Sequence, residues 1–316
     1  MLIVDSLGNL DPRPRCLALG NFDGVHLGHN HLLKCMAQGA HEAGISASAL
    51  TFEPHPSHVL TPLSPAKLLS LPRERSRLIA DIGIDELIVL PFDLEFSRIS
   101  AQTFVQEIII KGCQARIVYV GNGYRFGYGG KGDEKLLASL LQEAGSALKA
   151  IDLIPGKDSE GNPITSTAIR NALLKGDLEQ ALQMLGHEFI LSGNVQRGDG
   201  LATSLLGYPT ANLDISPYAL LPCYGVYIAK ASFRDDNFNT YCSNALVYIG
   251  NRPSVGGVEL RVEAHLLGFC GDLYGCEMHL SLTRFLRAEM QFATLAELSR
   301  QIAKDIATID VNTTRE

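Results

Sequence analysis

The alternation of short apolar runs with segments of helical period in the first half of the chain limits its fold more than any other feature. Leu17 to Gly20, Ile45 to Phe52, Leu87 to Leu90 and Arg116 to Val120 are brief apolar stretches. Between them, Leu32, Leu33, Met36, Ala37 and Ala40 fall at helical spacing on a helix starting near Gly28. Glu74 to Ile82, Ala101 to Ile110 and Glu134 to Ala144 repeat that texture. Strands buried on both faces need such near-continuous apolar runs, so a doubly wound parallel α/β layer is expected. Past Ile169 the pattern changes. Two helical stretches, Thr167 to Leu174 and Leu178 to Leu185, lead into closely spaced strands at Phe189 to Val195, Val226 to Phe233, Cys242 to Ile249, Leu260 to Leu267 and Met278 to Leu286. No helices intervene, which points to a small antiparallel β-barrel. Thr294 to Thr308 closes the chain as an amphipathic helix, with Leu295, Leu298, Ile302 and Ile306 on one stripe and Thr294 with Glu297 as its capping box. The 316 residues therefore divide into expected domains 1–185 and 186–316.

Composition removes several functions. With 27 Lys and Arg against 34 Asp and Glu, the net charge of −7 offers no basic field for a long polyanion, so nucleic acid is not expected as a partner. A small phosphorylated ligand needs only local donors and remains open. The seven scattered cysteines are odd in number and form no C-x-x-C pair, which suits reduced thiols in a cytoplasmic location. MLIVDSLGNLDPRPR has a four-residue apolar start, and no apolar run reaches the length of a membrane span, so neither secretion nor membrane insertion is expected.

In LALGNFDGVHLGHNHLL, residues 17 to 33, a strand ends at Gly20, a turn follows, and His26 and His29 stand three apart at the mouth of the first helix. Imidazoles beside free helix N–H groups can stabilise charge developing on a phosphate, and Gly24 and Gly28 would let backbone approach it. A metal pair and two structural histidines are the alternatives. In ITSTAIRNALLKGD, Ser166 and Thr167 stand at a helix start with Arg170 one turn on, a second grip for polyphosphate unless the hydroxyls merely cap the helix. TFEPHP and VGNGYRFGYGGKGD lie just after strands, where α/β sheets bind ligands. In LLGYPTANLD, Thr210 and Asn212 are hard oxygen donors of the kind Mg²⁺ accepts, or else the polar groups of a turn. Further on, Glu263 and His265 of LRVEAHLLGF would share a strand face, with a salt-bridged or a surface carboxylate as the plainer role for Glu263.

GNFDGVHLGH, TFEPHP, YRFGYGGKGD and STAIR, in that order and spacing, resemble the adenylyltransferase module of bacterial bifunctional riboflavin kinase/FMN adenylyltransferases, also called FAD synthetases. GYPTANL, GVY, IGNRP, EAHLL, DLYG and LRAEMQF resemble the riboflavin kinase module of that family, and the two cover nearly the whole chain. The resemblance implies a Rossmann-like nucleotidyltransferase domain followed by a riboflavin kinase-like barrel. It implies ATP with its α-phosphate near His26 and His29, Asn21 and Asp23 positioning phosphate or Mg²⁺, and Ser166, Thr167 and Arg170 holding the triphosphate. Phe52, Tyr124, Phe126 and Arg287 would contact flavin, Thr210 and Asn212 would bind Mg²⁺, and Glu263 would take the proton of the riboflavin 5′-hydroxyl; pairing with an acidic group and a plain solvent-facing role are the alternatives for Arg287. Riboflavin, FMN and ATP would be the partners, with FAD as product. The chain departs from the family at Gly123, where an acid or amide is usual and Asn122 is the substitute at hand, and at Gly130, where a base is common. Thr203 and Ser204 stand where a Gly-Arg or a Lys is usual, and Tyr248 replaces a smaller polar residue. A monofunctional adenylyltransferase and a non-catalytic flavin or nucleotide sensor remain as rivals to a bifunctional enzyme.

Overall fold

The structure, a computed structural model, describes residues 1–152, 154–156, 161–197, 208–234, 240–254 and 257–309, with the backbone alone for 252–254 and 257–259. Thr203 and Ser204 lie outside the described residues. By compactness the chain divides into Met1–Ser166 and Thr167–Glu316.

The first unit is a six-stranded parallel sheet of β1 (Leu2–Val4), β2 (Arg15–Leu19), β3 (Ser46–Glu53), β4 (Glu86–Pro91), β5 (Ala115–Gly121) and β6 (Ala147–Ile151), ordered β1-β4-β3-β2-β5-β6. Alternation along the strands feeds two cores. Leu17, Leu19, Leu50 and Ile88 meet α4 and α5, where α4 is Ala101–Thr103 running on as the wider-turned Phe104–Gly112 and α5 is Glu134–Glu143. Cys16, Ala18, Ala49 and Leu87 face the other way, onto α1 (Leu27–Ala43) and α3 (Pro72–Ala80), through Leu33, Met36 and Ile79. Helices on both faces make the layer doubly wound, as its apolar strands predict. The sequence reading omits β1 and β6 because they are edge strands with mostly exposed side chains, and α2 (Pro56–Leu60) because it is a single turn beginning at a proline.

At the amino ends of the strands, Arg15 and Glu86 form a buried ion pair. Arg15 Nε donates to Glu86 Oε2 at 2.7 Å, Ser48 Oγ donates to the same oxygen at 2.7 Å, and Arg13 reaches Oε1 at 2.5 Å. Burial pushes the Glu86 carboxyl up, but the hydrogen bonds from Arg15, Arg13 and Ser48 outweigh it and hold its pKa at about 2, below the ordinary 4.5. Because the folded value is the lower one, the stabilisation is complete above about pH 4.5 and is lost as pH falls through about 2. Glu86→Gln should destabilise this unit by about 3 to 5 kcal/mol, since it leaves Arg15 buried without a counter-charge. Scanning calorimetry from pH 7 down to pH 2 tests this. The variant should start with the lower Tm and lose less on acidification, whereas parallel curves would rule out Glu86 as the source of the acid sensitivity.

The second unit begins with α6 (Ser166–Lys175, its first residue closing the first unit) and α7 (Leu178–Leu185). The expected boundary at 185/186 lies beyond both helices, yet Leu173 O accepts from Cys223 N at 2.8 Å and α7 packs on β12, which group them with the barrel. The barrel comprises β7 (Phe189–Gln196), β8 (Ala211–Ile215), β9 (Gly225–Arg234), β10 (Thr240–Ser254), β11 (Gly257–Leu266) and β12 (Glu277–Ala288), closed in the order β10-β11-β8-β7-β12-β9 with antiparallel neighbours. β8 escapes the sequence reading because Asn212 and Asp214 after Pro209 look like a turn. α8 (Leu295–Ala307) starts at Thr294, whose hydroxyl accepts from Glu297 N, while Glu297 answers to Ala293 N rather than to Thr294. Its apolar stripe is shorter than expected: Leu295 is exposed, and Ile302, Ile306 and Ile309 beyond the helix pack on Val226 and Leu246.

Candidate active sites

The sheet order of the first unit reverses between β2 and β5, and ligands of open α/β sheets sit at the carboxyl ends beside such a reversal. There the chain leaves β2 in a turn in which Phe22 (φ 51°), Gly24 (φ 79°) and Val25 (φ 37°) are left-handed. Glycine takes that conformation freely, but a β-branched residue is strained there, and such strain persists where surrounding bonds over-determine the backbone. Those bonds are present. Asp23 is buried, and its carboxylate accepts from Leu69 N at 2.9 Å and Ser70 N at 3.1 Å. Ser70 Oγ accepts from Gly24 N at 2.9 Å, and Ser166 Oγ donates to Asp23 O at 3.0 Å. Thr51 and the buried Arg75 both donate to Asn21 O, and Arg75 also pairs with Glu53 at 2.8 Å. Asp23, expected to position phosphate or metal, is therefore engaged with backbone, as is the Ser166 hydroxyl. The Asn21 side chain is exposed at the turn.

His26 is the N-cap of α1. Its Nδ1 accepts from His29 N at 3.3 Å, and the two rings stack with centroids 3.7 Å apart and planes 17° apart. The Phe22 ring meets His29 edge-on at 5.4 Å. A Cβ on Gly28 would approach the His26 ring to 3.1 Å, so the missing side chain gives the imidazole its place. His29 Nδ1 is buried with no hydrogen-bond partner in the structure. A hydrogen there would be an unsatisfied donor at a cost of about 1 to 3 kcal/mol, so the bonding pattern assigns it to Nε2. Burial, and then the neighbouring His26, holds the His29 pKa well below the usual histidine range. His29 is thus a neutral imidazole with an Nε2–H donor, stacked on His26 beside the amino end of a 17-residue helix.

Beyond β5, the Asn122 amide donates to Asp152 at 2.6 Å, and Gly123 N donates to Glu134. Asn122, read as the substitute for a side chain at Gly123, is held by Asp152, while the carboxylate beside Gly123 comes from Glu134. Tyr124 stacks on Phe126 at 5.9 Å, and Phe126, Phe104 and Phe52 continue the aromatic wall with Phe92 and Phe96. Phe52 and Phe126 are 8% and 6% exposed, core residues with little surface for a flavin; the half-buried Tyr124 has more.

In the second unit Thr167 is exposed and Arg170 half-buried on α6. Thr210 and Asn212 are half-buried on either side of the buried Ala211. His265 Nδ1 lies 2.7 Å from Pro209 O and ties this segment to β11, where Asn212 stands opposite Glu263. Glu263 is 3.6 Å from Arg261, both side chains being half-buried, and faces Tyr248 of β10. Arg287, assigned to flavin from the sequence, gives Nε and Nη2 to the buried Asp305 at 2.9 and 2.8 Å. A carboxylate buried on α8 needs this guanidinium as its counter-charge.

Arg75, Ser70, Glu134, Glu289 and Asp305 were not foreseen. For Arg75 a signal existed: it lies one turn before Ile79 on the buried face of α3.

The FAD synthetase family matches residues 9–168 and the riboflavin kinase family residues 185–312. The bifunctional riboflavin kinase/FMN adenylyltransferase of Escherichia coli K12 is 34% identical over 309 residues, 96% of each chain. That of Bacillus subtilis is 32% identical over 296 residues, covering 92% of this chain and 89% of the relative. A crystal structure from Streptococcus pneumoniae, described as a macrolide-efflux protein, superposes with a TM-score of 0.83 at 26% identity over 97% of both chains. Among the described residues no helix is long and apolar enough to cross a membrane.

Proposed function

Because this chain belongs to the bifunctional riboflavin kinase/FMN adenylyltransferase family, we propose that residues 1–185 adenylylate FMN to FAD and residues 186–316 phosphorylate riboflavin to FMN, each with ATP. The observation that carries this reading is the neutral His29 stacked on His26 at the amino end of α1, at the sheet reversal where α/β ligands bind.

In adenylyl transfer an oxygen of the FMN phosphate attacks the α-phosphorus of ATP, and pyrophosphate leaves. His26 and His29 donate from Nε2 to the α-phosphate oxygens as charge builds, which is differential stabilisation of the transition state. Asn21 and the α1 amino end add donors, and Asp23 and Ser166 fix the turn that aims them; Thr167 and Arg170 keep the role that the family resemblance gives them, contacts to the rest of the triphosphate. Tyr124 lines the flavin side, backed by Phe126 and Phe52. In phosphoryl transfer Glu263 takes the proton of the ribityl 5′-hydroxyl as that oxygen attacks the γ-phosphorus and ADP leaves. Thr210 and Asn212 offer the hard oxygens that suit Mg²⁺, which draws most of its shell from phosphate and water and there would neutralise phosphate charge. Arg287 braces the barrel to α8 through Asp305, beside the flavin end. All seven cysteines are free, which supports a cytoplasmic site of action.

Incubation with riboflavin, ATP and Mg²⁺, followed by chromatography of the flavins, tests the assignment: FMN should appear first and FAD after it. FAD from supplied FMN without FMN from riboflavin would establish a monofunctional adenylyltransferase, and no turnover of either flavin would leave the sensor.

A further inference from the structure

Three side chains form a row across neighbouring strands of the barrel: Asn212 of β8 faces Glu263 of β11, and Glu263 faces Tyr248 of β10. Their chain neighbours Ala211, Val262 and Val247 are buried, so by alternation the row lies on the outer face. The Tyr248 ring packs into the apolar cluster that α8 lays on this face, and its hydroxyl donates to Glu289, just after β12. Beneath that hydrogen bond is Gly250, where a Cβ would overlap both the Tyr248 hydroxyl and the Glu289 carboxylate. Burial, and then Glu289 and Glu263, push the Tyr248 pKa up, which keeps its O–H a donor at working pH.

Two carboxylates therefore flank one phenol on unequal terms. Glu289 takes the phenol's hydrogen, while Glu263 stands 3.6 Å from Arg261, beyond hydrogen-bond length. We infer that Tyr248 is a positioning residue for phosphoryl transfer: by tying down Glu289 at the end of the row, it leaves Glu263 as the carboxylate that takes the acceptor's proton. The inference rests on the reading of Glu263 as the base.

In the full-length protein, Tyr248→Phe removes one oxygen atom. It should lower kcat for FMN formation by on the order of 10- to 100-fold, the scale of a misplaced catalytic group, with KM for ATP within about twofold. FAD formation from supplied FMN should be unchanged, which monitors folding in the same sample. Gly250→Ala, which dislodges the pair without deleting either group, should show the same split. In a Glu289→Ala background Tyr248→Phe should add nothing, because it acts through that carboxylate. A kcat for Tyr248→Phe within twofold of the parent, or full additivity with Glu289→Ala, would overturn the inference. Glu263→Gln, assayed alongside, separates the two failures. If it keeps the kinase rate, the base assignment falls and this inference with it; if it abolishes the rate while Tyr248→Phe does not, the role of Tyr248 alone is wrong.

Discussion

Replacing His29 by alanine is expected to lower FAD formation from FMN by about 10²- to 10³-fold, the cost of removing one preorganised donor from a developing oxyanion, while FMN formation from riboflavin is unchanged. The cap and the turn do not depend on the His29 ring: His26 caps α1 by its own Nδ1, and Asp23, Ser70 and Ser166 hold the turn, while His29 packs on the rings of His26 and Phe22. Its distinctive feature is an imidazole kept neutral by burial and by His26, with Nδ1 sealed off and Nε2 left to donate. The loss should fall on kcat more than on KM for ATP, because the donor matters most when charge builds at phosphorus. His29→Gln, whose amide N–H can reach where Nε2 stood, should recover part of the rate. The pH profile carries a signed prediction. With the pKa of His29 well below the ordinary 6.5, the neutral form persists as the solution is acidified, so kcat/KM for adenylyl transfer should stay level through pH 6.5. An acid limb near 6.5 that disappears in His29→Gln would show that the protonated form is populated and that the neutral-donor account is wrong.

The opposite selectivity is expected of Glu263→Ala. Phosphorylation of riboflavin should fall by about 10²- to 10⁴-fold, the range for general-base catalysis, and adenylylation of supplied FMN should persist. Glu263 stands between Asn212 and Tyr248 on one face of the barrel, so the candidate base, a candidate metal-binding amide and the phenol are set by strand register rather than by loop conformation. Register is hard to shift, because a slip of one residue would turn Val262 and Ala264 out of the barrel and Glu263 into it. The variant should therefore fold, and FAD formation in the same tube reports that it has. A kinase rate within a few-fold of the parent would remove Glu263 from the mechanism and leave it as the partner of Arg261.

Together the two variants form a double dissociation that neither a monofunctional enzyme nor a sensor would give. The histidines stand out by a local signal, three apart at a strand-to-helix turn, whereas Glu263 in its alternating strand is singled out as a base only by the family resemblance. The supports around them were not legible in the sequence. Asp23 reads as a ligand until Leu69 and Ser70, some 46 residues away, are seen to claim its oxygens. Arg287 reads as a flavin contact, the partner of an unnamed acid or a solvated side chain, and only the fold shows the acid to be the buried Asp305, 18 residues on. Gly123 reads as a missing carboxylate until Glu134 comes back to its N–H.

By itself the sequence determined the two architectures and the places where chemistry gathers, since apolar period, turn residues and cap residues act over a few positions of chain. The tertiary structure decided which polar groups are free to act. A carboxylate or guanidinium looks the same in sequence whether it faces solvent, substrate or a buried partner, and its role is chosen by hydrogen bonds between segments far apart in the chain. That is why Asp23 became a brace and Tyr248 a positioning candidate, while His29 stayed neutral with one nitrogen left to donate.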